Sequence, residues 1–432
     1  MIDSLKNIII PYSLRRFHLK LVIMFNVMKI SWKHLVALKK LKKKRTLNCV
    51  FFALYEEMWK YDGVYRLMAN HPRFNPVVLV CPAMTYGREN MIDKMERCYK
   101  AFQQRGYKVV LSYNKEMDTY VDVRNELEPD IIFYTNPYYG FIEDRYYITN
   151  FKDILTVYVP YFISSNNDYH LSCDLELHNL VWRRYAETEL HRQLSIKYAK
   201  NKGVNVVCSG YPGIEAYLST SNKMKRGEKK CIIWAPHHSI ERYGIIHYSC
   251  FFMYCDSMIE LAKKYAEQVS FVFKPHPMLK NKLYEKWGKE KTDSYYDQWR
   301  NMENTSVNEG SYESLFLESD GMIHDCASFL VEYLYVNKPV MRTLNGEDLN
   351  EMFNSFGIQC IENHYHAYSL EDVETFIQNI IKGVDPLKEQ RTNFVESVLK
   401  PHGLPSQNII DDILYSIDNQ VLYSKNKVSD AK

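Results

Sequence analysis

Among its ten cysteines the sequence has no Cys-x-x-Cys pair, which excludes the common zinc-ligand spacings and the disulfide framework of small secreted domains. Reduced cytosolic thiols are the expectation. Long apolar runs are also missing. The longest in the amino-terminal segment, Leu21 to Met28, has eight residues including Asn26, far short of the roughly 20 that cross a bilayer. No secretory h-region with a small-residue cleavage site follows it. The turn Ser209-Gly210-Tyr211-Pro212-Gly213 lacks the dinucleotide G-x-G-x-x-G pattern, and no internal repeat is evident. No carboxylate cluster suited to a divalent ion emerges, so chemistry without a metal or other cofactor is expected.

Acidic residues are nearly absent from residues 1–46, where 12 Lys and Arg face Asp3 alone. The rest of the chain holds 43 basic against 51 acidic residues, so the positive charge is confined to one end. Phe17, Leu21, Met24, Phe25, Met28, Trp32 and Leu35 interleave with these cations. That pattern predicts a basic amphipathic helix lying on an anionic membrane surface with no nucleic-acid partner, the alternatives being an RNA-binding arm or a helix packed on the body with a solvated lysine cluster.

With 432 residues, 46% apolar and 25% charged, the chain exceeds what one core usually serves and predicts two globular domains. Short β-rich runs alternate with helical segments, the mark of βαβ units. Strands are expected near 49–54, 77–81, 108–112, 130–134 and 155–159, then near 205–208, 231–235, 269–274, 306–307, 321–324 and 339–341. Helices are expected near 90–105, 249–266, 311–318, 327–336, 368–382 and 404–418. The reading is an α/β chain of four parts: a basic segment over 1–46, a Rossmann-like acceptor domain over 47–203, a Rossmann-like nucleotide domain over 204–420 and a polar tail over 421–432. Two doubly wound sheets facing each other would bind ligand beyond the carboxyl ends of their strands, in a cleft between domains.

The motifs with chemical content all fall at such ends. The run Cys231 to Ala235 leads into Pro236-His237-His238, presenting imidazoles able to act as a base or, protonated, as phosphate partners. Phe271-Val272-Phe273 leads into Lys274-Pro275-His276-Pro277, where two prolines stiffen a loop carrying an ammonium and an imidazole suited to a diphosphate. Gly321 to His324 turns through Asp325-Cys326-Ala327-Ser328 into a helix. Ser328 would lie in its first turn, where free N–H groups favour phosphate, Asp325 would cap it or join the diphosphate site, and Glu332 would reach ribose hydroxyls. Gly210 and Pro236 would allow close backbone approach to the nucleotide.

In this order, the Gly-Tyr-Pro turn, the strand ending in Pro236, Lys-Pro-His-Pro and Ser-Asp-x-x-x-x-Asp-x-x-Ser followed by Lys338-Pro339 resemble the CDP-glycerol glycerophosphotransferase family, over roughly residues 130–345. The resemblance implies a GT-B fold and transfer of glycerol phosphate, or a related phospho-alditol, from a CDP-linked donor. The acceptor would be a hydroxyl of a lipid-linked or surface-polymer molecule, and CMP would leave. It further implies His276 and Ser328 on the donor diphosphate, Glu332 near the ribose, and peripheral attachment to the inner face of the cell membrane. Two departures are visible. The family's Thr-Asp-Tyr-Ser-Ser reads His324-Asp325-Cys326-Ala327-Ser328 here, and its amino-terminal His-Gly-Thr corresponds to Val157-Tyr158-Val159-Pro160-Tyr161-Phe162, which has no histidine. The base would then be His237 or His238. A nucleotide-sugar glycosyltransferase, or an inactive nucleotide-binding subunit, are the alternatives.

Overall fold

The computed structural model describes residues 28–84, 87–218, 229–242, 244 and 246–423. Phe17, Leu21, Met24 and Phe25 of the expected amphipathic segment, and the tail beyond 423, lie outside the described residues. The chain forms two compact units. One runs to Tyr161 and includes Tyr169–Pro212 and the chain from His402 onward; the other holds Phe162–Asp168 and Gly213–Pro401.

Continuous apolar runs such as Val50-Phe51-Phe52 and Ile232-Ile233-Trp234 are buried on both faces, as strands of a helix-covered parallel sheet must be. Unit 1 holds β1 (Leu47–Ala53), β2 (Phe74–Val80), β3 (Val109–Leu111), the short antiparallel pair β4 (Tyr113–Asn114) and β5 (Thr119–Tyr120), then β6 (Ile131–Tyr134), β7 (Leu155–Tyr158), β8 (Arg183–Ala186) and β9 (Val206–Cys208). Seven of them form a parallel sheet ordered β3-β2-β1-β6-β7-β8-β9. Unit 2 holds β10 (Lys230–Ala235), β11 (Val269–Phe273), β12 (Thr305–Val307), β13 (Gly321–His324), β14 (Val340–Thr343) and β15 (Tyr365–Ala367). Its parallel sheet is ordered β12-β11-β10-β13-β14-β15. Each sheet starts in its middle and winds outward both ways, so each unit is doubly wound.

The domain limits read from the sequence need three corrections, the first being that Phe162–Asp168, expected in the acceptor domain over 47–203, belong to unit 2. Residues 206–208 do not open the second domain; β9 extends the first sheet, with Arg184 to Ala186 opposite Val206 to Cys208. A three-residue apolar run carries no mark of which sheet it joins. The helix Pro405–Asn419 also belongs to unit 1, where Ile409, Ile410, Ile413 and Ile417 enter the core beside Phe51, Tyr61 and Tyr185. Arg183 latches it. That fully buried guanidinium donates to Asp412 Oδ2 at 2.9 Å, Ser416 Oγ at 2.8 Å and the Leu422 carbonyl at 2.5 Å. Asp412→Ala, which leaves the buried cation without its carboxylate, is expected to cost about 3 kcal/mol, read as a lower urea midpoint by circular dichroism.

Residues 28–42 are helical. Ile30, His34, Leu38 and Leu41, three or four residues apart, form its buried stripe, and Leu38 and Leu41 join the unit 1 core. A second stripe of Met28, Trp32 and Val36 stays exposed, flanked by exposed Lys29, Lys33, Lys39 and Lys40. Among the described residues no helix is long and apolar enough to cross a membrane.

Candidate functional site

In unit 2 the strand order reverses between β10 and β13, the switch point where open α/β sheets leave a crevice at their carboxyl edge. Register brings the three motif-bearing strands to that edge together, with Trp234 opposite Phe273 and Ala235 opposite His324. Main-chain bonds then tie the loops. The Lys274 N–H donates to the Trp234 carbonyl at 2.8 Å, and the His276 N–H to that of Pro236 at 3.0 Å. Pro236 therefore braces the β11 loop through its carbonyl.

This bracing packs three imidazoles against one another. Ring centroids are 4.3 Å apart for His237 and His238, 4.2 Å for His238 and His276, and 4.9 Å for His237 and His276. Burial is the main force on their titration. It holds His237 well below the ordinary histidine range, helped by His276, His238 and Arg342. Burial, then His238 and Lys274, bring His276 down to about 3. His238 is lowered by burial and Lys282 against an opposing bond to its own carbonyl. The rings are thus neutral at physiological pH, unlike the protonated phosphate partners that exposed histidines would supply. Their donor atoms lie within 4.8 Å of one another, close enough to share one ion or one anionic group.

Asp325 has a different role from the diphosphate contact expected of it. Its Oδ1 accepts the His237 main-chain N–H at 2.5 Å and its Oδ2 that of Cys250 at 2.7 Å. Nor does it cap the helix that follows; instead it clasps Cys250, which precedes the helix Phe251–Lys264. Burial raises this carboxyl to about 6, against the pull of the Cys250 and His237 bonds and of Arg342. A clamp of this kind fixes the loop that carries His237.

The other expected residues divide. Lys274 is buried, and its ammonium donates to the Gly310 carbonyl at 2.9 Å. Ser328 stands at the start of Phe329–Glu332, a single α turn continued as a 3-10 turn over Tyr333–Val336, and its side chain makes no capping bond. Glu332 is buried rather than open to a ribose, and accepts the Tyr312 hydroxyl at 2.8 Å. Gly210 belongs to unit 1, where its φ of 85° turns the chain after β9.

Arg342 in β14 is the residue the sequence hid. Paired with His324 across the sheet, it is fully buried and donates to the Cys326 carbonyl at 3.0 Å, supporting the turn between Asp325 and Ser328 from within. An arginine inside the apolar strand Val340-Met341-Arg342 was the available signal. His324, which stands where the family has threonine, is sealed in the sheet with neither ring nitrogen bonded, 5.2 Å from the His364 ring. In unit 1 the segment after β7 offers no imidazole, but Glu187, just past β8, is buried with neither carboxylate oxygen bonded.

Residues 194–392, just under half of the chain, match the model of the CDP-glycerol:poly(glycerophosphate) glycerophosphotransferase family. The resemblance read from the motifs therefore holds. Among solved structures, a variant of the wall teichoic acid polymerase TagF aligns with a TM-score of 0.56 at 12% identity, over 94% of this chain and 98% of that one. The S. aureus MnaA–UDP co-structure gives 0.55 at 13% identity, over 86% and 96%. UDP-GlcNAc 2-epimerase from Neisseria meningitidis bound to UDP-GlcNAc gives 0.53 at 15% identity, over 85% and 99%. At such identities the likeness is of fold, and the fold is GT-B-like. No curated protein matches the chain in sequence.

Proposed function

We propose that this chain transfers glycerol phosphate, or a related phospho-alditol, from a CDP-linked donor to a hydroxyl of a lipid-linked or polymer acceptor, releasing CMP. The observation that carries the reading is the convergence of His237, His238, His276 and Lys274 at one sheet edge, inside the span that matches the family. The donor named by that family is a CDP-alditol, and a TagF crystal soaked with CDPG shares the fold at a TM-score of 0.52.

In the step itself the acceptor oxygen forms a bond to the donor's β-phosphorus. The bond from that phosphorus to the oxygen bridging the two phosphates breaks, CMP departs with the bridging oxygen, and the hydroxyl proton passes to His237 or His238. His276, Lys274 and Ser328 hold the diphosphate, while Asp325 and Arg342 keep the loops in place. Positioning and fixed dipoles supply most of the acceleration in such transfers. The exposed stripe of Met28, Trp32 and Val36 among lysines suits an anionic lipid surface at the cytoplasmic face, where a lipid-linked acceptor would lie.

The test offers the purified protein CDP-glycerol, CDP-ribitol, UDP-sugars and GDP-sugars, with a lipid-linked acceptor in anionic vesicles. CMP released from a CDP-alditol, undiminished by EDTA and with protein sedimenting with the vesicles, is the expected result. Release of UDP or GDP would replace this reading with sugar transfer, and CDP binding without turnover would leave a nucleotide-binding subunit.

A further inference from the structure

A neutral imidazole has one nitrogen that donates and one that accepts, and its surroundings decide which is which. Two of the three clustered rings have that decision made by their own loops. The Met278 main-chain N–H donates to His276 Nδ1 at 3.1 Å. The Ser239 main-chain N–H lies 3.2 Å from His237 Nδ1, and Ser239 Oγ lies 2.9 Å from the same atom. That hydroxyl oxygen already accepts the Tyr248 N–H at 2.9 Å, leaving its proton for the ring. A main-chain N–H only donates, so Nδ1 holds the lone pair in both rings and the proton sits on Nε2. Reversing either tautomer, or protonating either ring, would set N–H against N–H and strand a donor, at about 1–3 kcal/mol.

We infer that His237 and His276 are locked as neutral Nε2–H tautomers that donate to the anionic oxygens of a bound diphosphate, leaving His238 as the ring that takes the proton. This rests on the proposed function for the identity of the anion, but the tautomers themselves do not. Three consequences follow. Anion binding needs no imidazolium. His237 is removed from the two candidates for the base, because its Nδ1 lone pair is taken by the Ser239 N–H and its Nε2 already carries hydrogen. A metal ion, which requires a ring lone pair, finds none on Nε2 of either locked ring despite the closeness of the three side chains. Of the two candidate bases, His238 then remains as the ring that accepts the acceptor's hydroxyl proton.

Two measurements test this on the full chain. In protein labelled with 15N-histidine, long-range 1H–15N spectra distinguish the tautomers, with His237→Gln and His276→Gln used for assignment. The Nε2–H pattern is expected for both rings between pH 6 and pH 8, and an Nδ1–H or imidazolium pattern at either would overturn the inference. The second measurement uses the reach of amide side chains, since the Gln amide comes near the Nε2 position and the Asn amide near Nδ1. With CDP as probe, His276→Gln should bind within about threefold of wild type and His276→Asn about tenfold or more weaker, the scale of one hydrogen bond to a charged group. Equal losses in folded variants, or the reverse order, would overturn it. If wild-type protein fails to bind CDP, the proposed function fails, and the ring spectra of the free protein still decide the tautomers.

Discussion

His238→Ala is expected to lower turnover by about 10²–10⁴-fold, the usual contribution of a positioned proton acceptor, while CDP binding stays within about threefold of wild type. Rapid-quench measurement of CMP release, with calorimetry for binding, separates the two. The expectation follows from the proposed division of labour among three rings at one edge, in which His237 and His276 carry their protons on Nε2 and His238 remains to accept one. It also sets the pH profile. A base must be neutral, and burial with Lys282 holds His238 below its ordinary value, so the wild-type rate should fall only as pH drops under about 6.5. The variant should lose that acid limb along with the rate. A variant that keeps wild-type turnover, or that loses CDP binding in proportion, would show His238 to be a structural or binding group.

Asp325→Ala is expected to cost about 3–5 kcal/mol of folding stability, because it strips a counter-charge from buried Arg342 and leaves the main-chain N–H groups of His237 and Cys250 unmet. Urea unfolding followed by tryptophan fluorescence measures it. Turnover of the folded fraction should fall with it, since the loop bearing His237 loses its anchor. The charge of Asp325 has its own signature. With its folded pKa raised to about 6 from an unfolded value of about 3.9, its stabilising contribution is complete below the lower value and is lost as pH rises through the upper one. Wild-type stability should therefore carry a decline between about pH 4 and pH 6 that Asp325→Asn, which does not titrate there, lacks. An unchanged slope in Asp325→Asn would mean that the carboxyl is not buried as described.

Much of this architecture was legible from patterning, and the exceptions have identifiable causes. Continuous apolar strands such as β1 and β10 were visible because both faces are covered. β8 was not, since Arg183 and Arg184 read as solvent-facing; they are buried because Asp412, Ser416, Ser195 and main-chain carbonyls satisfy them. The helix Lys289–Asn301 was missed for a related reason. Its composition is polar, and only Thr292, Tyr295, Tyr296 and Trp299 form its buried face. At the site, the strand-end motifs made it legible that His237, His238 and His276 meet, because parallel strands in register deliver their carboxyl ends to one edge. What Asp325 does there could not be read, since its two partners lie 88 and 75 positions away. The neutrality of the histidines was equally hidden, because it follows from burial and from rings packed against one another rather than from residue type.

A crystal structure of the protein soaked with CDP should place the diphosphate at the carboxyl edge of β10 and β11, with its oxygens within hydrogen-bond distance of Nε2 of His237 and His276. A nucleotide seated elsewhere, or one whose phosphates face away from these rings, would contradict the proposed site.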